Sequence, residues 1–183
     1  VSTPIRLGVV IAVDGIETQP TTHRRRPDAA NPARMIRPVN YELYMGEALA
    51  EAKAAVARGE RPHAAVAVLD EAMVARGHDR VRETDDPTAH AVIVALREAA
   101  RRVGKDRLRD VTMFCTMEPC PMCVGALLAS DVEALVYAIP NRTDGAAGTI
   151  LQLAEHPALR RRVKVVSGIR RDEVEELYAA TAR

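Results

Sequence analysis

From Tyr41 onward, short aliphatic runs alternate with segments of helical period, and that alternation restricts the chain to a sheet covered by helices. Leu43, Leu49, Ala52 and Val56 recur at helical spacing, and Gly59 stands where such a helix would stop. Residues 64–69 (AAVAVL) read as a strand, and Asp70 and Glu71 turn the chain into a second strand over 73–76. A loop with Gly77, Asp79 and Pro87 follows. Residues 89–103 have the composition of a buried helix ending at Gly104, with Thr88 as its cap. Beyond it the pattern predicts a strand over 111–116, a helix over 120–129, a strand over 134–138 and a glycine-bearing loop over 141–148. A short helical piece at 151–154, a last strand over 163–166 and a helix over 172–182 complete it. Five strands and their helices make one α/β sheet covered on both faces. The acidic start of the last helix, Asp172 and Glu173, suits its dipole.

The 183 residues allow one domain with a real core. Hydrophobic residues are 48% and aromatics only 3%, with no Trp and one Phe, so that core must be aliphatic. A net charge of +1 excludes bulk electrostatic attraction as the means of holding nucleic acid or membrane. No apolar run reaches the length of a membrane helix, and residues 7–13 (LGVVIAV) lack the flanks of a signal peptide. Three cysteines do not make a disulfide framework, which points to a reduced, cytoplasmic protein. Residues 1–40 carry Pro20, Pro27, Pro32 and Pro38 and the run Arg24, Arg25, Arg26; they read as a poorly packed extension to a domain spanning 41–183. The arginine run reads as a solvated tail, and Arg160, Arg161, Arg162 and Lys164 read as a solvated turn ahead of phosphate contact.

Chemistry concentrates in two segments, Thr88-Ala89-His90-Ala91-Val92 and Glu118-Pro119-Cys120-Pro121-Met122-Cys123. A Cys-x-x-Cys on the first turn of a helix brings two sulfurs to one side, and the helix N-terminus favours their thiolate forms. His90 falls at the start of the preceding helix, so two helix N-termini can point at one ion. Three protein donors leave a fourth position for water, the arrangement of a catalytic zinc site. A redox pair and a capping histidine are the ordinary readings of each motif taken singly; their joint occurrence favours zinc. Cys115, inside a strand, reads as a small buried hydrophobe.

With DPTAHA (86–91), TMEPCPMCVGA (116–126) and GAAGT (145–149), the chain resembles the zinc-dependent nucleoside and nucleobase deaminases, above all the bacterial tRNA-specific adenosine deaminases. The resemblance covers roughly residues 41 to 183. It implies a three-layer α/β/α cytidine-deaminase-like fold with a single mixed five-stranded sheet. It also implies one Zn²⁺ per chain on His90, Cys120 and Cys123, and substrate contacts at Asp79, Ala91 and Asn141. The family's proton-shuttling glutamate stands two residues after the histidine; here that position is Val92. An isopropyl group moves no proton, and such help is worth about 10²–10⁴-fold in rate. Glu98 points elsewhere on its helix, and Glu118 occupies a position already glutamate in the family, so neither is an obvious replacement. Asp79 stands where the family has Asn, Asn141 replaces a residue commonly acidic, and Thr181 and Ala182 replace paired aromatics.

Three readings follow from the resemblance. One is a tRNA adenosine-to-inosine deaminase, impaired at Val92, working as a homodimer on an anticodon stem-loop. Another is a non-catalytic zinc-binding subunit recruiting a hetero-partner with an intact His-x-Glu. The last is a deaminase of free nucleobases or nucleosides, favoured by Asp79 and the missing aromatics.

Overall fold

Asn40 starts the first helix by accepting a hydrogen bond from the Leu43 amide at 3.0 Å, satisfying one of the free donors of the opening turn. The structure, a computed structural model, describes residues 39–181. The expected extension over 1–40, but for its last two residues, and Ala182 lie outside them. Helix α1 (Tyr41–Ala57) buries Tyr44, Met45, Ala48, Leu49, Ala52 and Ala55, one stripe at helical spacing, and ends before Gly59 at φ 80°. β1 (Ala64–Leu69) is buried on both faces, which is why its sequence shows no polar alternation. Asp70 and Glu71, both at positive φ, make the two-residue hairpin into β2 (Ala72–His78).

A short helix α2 (Val81–Thr84) leads to α3 (Ala91–Val103), a 3₁₀ stretch (Lys105–Asp110) and β3 (Thr112–Met117). Helix α4 (Pro121–Ala129), β4 (Ala134–Ile139), β5 (Lys164–Ser167) and α5 (Arg171–Thr181) complete the order. The strands form one mixed sheet in the order β2-β1-β3-β4-β5, with β1 antiparallel to both neighbours and β4 parallel to β3 and β5. Side-chain alternation sorts the strands onto two faces. Ala65, Ala67, Met113, Cys115 and Leu135 pack beneath α3 and α4, through Ala95, Leu96, Val124 and Leu127. Val66, Val68, Phe114 and Val136 pack beneath α1 and α5, through Met45, Leu49 and Val174. This is the three-layer cytidine-deaminase-like arrangement that the motifs implied. The single Phe sits fully buried at its centre, its ring 5.4 Å from that of Tyr44.

Three local expectations give way. Residues 151–154 form no helix; Gln152 bridges Ala147 instead, because this stretch folds back along the preceding loop. Thr88 does not cap α3: its amide and hydroxyl both donate to Asp86, and the cap position falls to His90. Gly77 belongs to β2, where an added Cβ would meet the Ala95 nitrogen at 2.8 Å, so glycine is what lets α3 approach the strand.

Candidate metal centre

β3 runs outward to Glu118 and Pro119, and α4 then begins with Cys120 at its cap, Pro121 at the first helical position and Cys123 two residues on. His90 caps α3 without bonding its backbone, leaving the ring free to face the sulfurs. Its Nδ1 lies 3.6 Å from Cys120 Sγ and 3.7 Å from Cys123 Sγ. The three donor atoms lie within 4.8 Å of one another and are positioned to bind a metal. Tetrahedral zinc with ordinary Zn–S and Zn–N bonds has S···N edges of about 3.5 Å, so donor chemistry and spacing both fit zinc. The hydrogen bond between the cysteines, assisted by His90, pulls the Cys120 thiol down to about 5. The same contact with Cys120, together with burial, pushes the Cys123 thiol up. Cys115 is buried in β3 and stays outside the cluster, its thiol pushed up by burial.

Ala91 and Val92 open α3 beside these donors, 4% and 5% exposed. Val92 is packed in the aliphatic cluster that also takes in Cys120 and Cys123. The carboxylates weighed as substitutes are engaged elsewhere. Glu98 pairs with Arg101 and Arg102 on the outer face of α3. Glu118, 2% exposed, accepts from the amides of Ala147 at 2.8 Å, Thr149 at 3.0 Å and Asn141 at 3.1 Å. It is the pin that holds the 141–149 loop against the sheet. Gly145 is required there, since a Cβ would meet the Glu118 carboxylate at 2.4 Å.

Asp79 is fully buried, its carboxylate 2.7 Å from Arg61 and 3.7 Å from His63 Nδ1. His63 stacks on Tyr178 of α5, with ring centroids 5.6 Å apart. Burial, then the Arg61 charge, pushes its imidazole down to about 4; His90 and Asp144 are also near enough to act on it. Arg61, His63 and Tyr178 thus join Asp79 beside the metal donors, a group the sequence reading missed. Nothing local betrays them, because they arrive from the start of β1 and from the last helix. Asn141 turns inward on its own loop, Oδ1 accepting from Thr143 and Asp144 and Nδ2 donating to Asp144. In the basic cluster, Arg161 closes the end of α4 on the Ala129 carbonyl and Lys164 pairs with Glu133, as a solvated turn would have them.

The zinc-binding region of cytidine and deoxycytidylate deaminases matches residues 38–139, a span that contains all three donors. The chain belongs to the cytidine and deoxycytidylate deaminase zinc-binding family. Among its relatives, the tRNA-specific adenosine deaminase of Bacillus subtilis is 38% identical over 78% of this chain and 88% of its own. A structure solved in a study of A-to-I editing by tRNA:A34 deaminases at the wobble position superposes with a TM-score of 0.70 at 35% identity, covering 74% of this chain and 98% of that one. The guanine deaminase of Nitrosomonas europaea shares the fold at a TM-score of 0.63 and 26% identity, covering 76% and 83%. No described helix is long and apolar enough to cross a membrane.

Proposed function

We propose that this chain is a zinc-dependent deaminase of the tRNA adenosine type, converting adenosine to inosine in an anticodon stem-loop, and that Val92 leaves it strongly impaired. The observation that carries the reading is the pairing of a complete donor trio with an apolar residue at the proton-handling position. Likeness to the Bacillus enzyme over nearly its whole length supports the substrate class. His90, Cys120 and Cys123 hold the metal in this reading. When bound, zinc supplies an acidified water for attack on the amino-bearing carbon.

The chain's own residues then have separate tasks. Glu118 keeps the 141–149 loop in place as one wall. Asp79 fixes Arg61 and holds His63 over Tyr178, so it acts on a nucleoside through the guanidinium that it orients. Ala91 leaves room for a base, and Asn141 meets substrate through the loop that its side chain shapes. No group on α3 next to the metal moves a proton, because Val92 has none to give or take.

The deaminase unit runs over 41–183 and works in the cytoplasm. A homodimer is proposed on the exposed apolar side chains Met122 of α4 and Ile150 and Leu151 of the following loop. The buried, well-packed Val92 also favours a second reading, a non-catalytic subunit beside a partner with an intact His-x-Glu.

The test is ammonia release by zinc-loaded protein, as it stands and with Val92→Glu. Its substrates are an adenosine-containing anticodon stem-loop and free adenine, guanine, cytosine and their nucleosides. The expected result is near silence from the valine protein and stem-loop deamination by the glutamate protein. Activity confined to free bases would replace the substrate class. Silence in both folded, zinc-bound proteins would overturn the enzyme reading in favour of the subunit. Full activity with valine would overturn the impairment.

A further inference from the structure

Aromatic rings are scarce in this chain, which has four Tyr, one Phe and no Trp. Tyr44, Phe114 and Tyr137 are buried, and Tyr41 tilts against Phe114. Tyr178 instead lies nearly parallel to a polar ring, that of His63, at 16° with centroids 5.6 Å apart. Both rings are fixed at the end of the sheet where the metal donors gather. The His63 carbonyl accepts from the Asp79 amide at 2.9 Å, and the Ala64 amide donates to Thr116 Oγ1 at 3.1 Å. The same Thr116 hydroxyl meets the Tyr178 hydroxyl at 3.2 Å. Thr116 belongs to the end of β3 from which the chain runs on to Cys120.

The His63 ring has one face on Tyr178 and turns Nδ1 toward the Asp79 carboxylate, yet its side chain stays 29% exposed. Its open surface therefore falls on the face turned away from Tyr178. Burial, ahead of the Arg61 charge, pushes the imidazole down to about 4, so the ring is uncharged at neutral pH. Arg61 beside it, half-exposed, is already neutralised by Asp79 at 2.7 Å. Neither residue is a free cation, and the whole chain carries only +1, so this corner is not built to hold phosphate. What it offers is an ordered, uncharged aromatic face. Such a face suits an unstacked base, because every base has a π-face and RNA loops are read by splaying their bases onto rings of this kind. A ring already held from behind gives up little further freedom when a base lands on it.

We infer that the outer face of His63 is a stacking platform for an unpaired base of the RNA loop, the neighbour of the adenosine that enters the metal site. The assignment rests on the RNA substrate class of the proposed function, and not on whether Val92 permits turnover. A base that is taken out of its stack to reach the metal leaves its neighbour without a partner, and His63 supplies one. Tyr178 and Asp79 are positioning residues, one backing the ring and the other holding its edge.

The test is binding of a fluorescently labelled anticodon stem-loop to the full-length, zinc-loaded protein, read by anisotropy at fixed salt. The hairpins carry adenosine at the target position and either an intact or an abasic nucleotide on each side of it. His63→Gln is expected to weaken binding of the intact hairpin by about tenfold, and His63→Phe, which keeps a flat ring, to retain most of the affinity. An abasic nucleotide on one side of the target should cost the unchanged protein about as much, and cost His63→Gln nothing further. Urea midpoints check that both variants are folded. Binding indifferent to His63→Gln, equal losses in the Gln and Phe variants, or additive losses would overturn the platform and leave the RNA substrate class standing. Failure of the unchanged protein to bind any hairpin would remove that substrate class and the platform with it. Binding that depends on His63 in a Val92→Glu protein that releases no ammonia would sustain the platform and overturn the deaminase chemistry instead.

Discussion

Cys120 and Val92 both stand at the N-terminus of a helix aimed at the same cluster, yet they treat charge in opposite ways. Cys120 caps α4, and its contacts with Cys123 and His90 pull its thiol well below the ordinary value. Val92, in the first turn of α3, presents packed hydrocarbon. A metal cradle is built from three side chains whose places are set by two helix caps, so it survives a change at a neighbouring position. Proton handling rests on one side chain of the right chemistry. In the reading proposed above, the donor trio persists with no acid–base group at position 92, so that holding a metal and using it would be separable.

The sharpest way to break the contrast is Val92→Glu. In zinc-loaded protein a rise in deamination of about 10²–10⁴-fold is expected. In the metal-free form the same carboxylate is buried without a partner, and a loss of about 3 kcal/mol in urea unfolding should appear and be reversed by zinc. Equal destabilisation with and without zinc would show that position 92 does not face the metal. Next in size is Glu118→Gln, which replaces a charged acceptor of three amides by one that must turn a donor toward some of them. It should cost about 3 kcal/mol and expose the 141–149 amides to hydrogen exchange, without changing zinc stoichiometry.

His63 tests the opposite wall of the site. Its folded value lies near 4, below the ordinary 6.5, so the unfolded chain binds the proton more readily between those values. Stability should be level above pH 6.5 and fall as pH drops from 6.5 toward 4, by up to about 3 kcal/mol from this group. In His63→Gln that part of the acid-side slope should vanish from the urea midpoints. The smallest effect is expected at Arg161→Ala, about 0.5 kcal/mol, since it removes an exposed cation from the end of α4. A larger loss there would give the basic turn a role beyond closing a helix.

Much of this molecule is legible along the chain because its determinants are local. Five strands and their helices follow from aliphatic runs, glycine stops and turn residues. The His90, Cys120 and Cys123 trio follows from two helix starts with known directions. What failed locally failed for a tertiary reason. Residues 151–154 have helical composition, but they are recruited to the loop that Glu118 anchors, where the amides of Leu151 and Leu153 find carbonyl partners across the loop rather than four residues back. Thr88 has the chemistry of a cap, but Asp86 takes its donors, and His90 must begin the helix if its ring is to reach the sulfurs.

Sequence by itself determined the layer architecture, the metal donors and the absence of a carboxylate at position 92, because periodicity, helix starts and side-chain identity are properties of neighbouring residues. Only the tertiary structure decided that Arg61, His63 and Tyr178 gather around Asp79 and that Glu118 serves the loop. Those relations join residues from opposite ends of the chain, and they exist once the sheet has set its strand order and buried both faces.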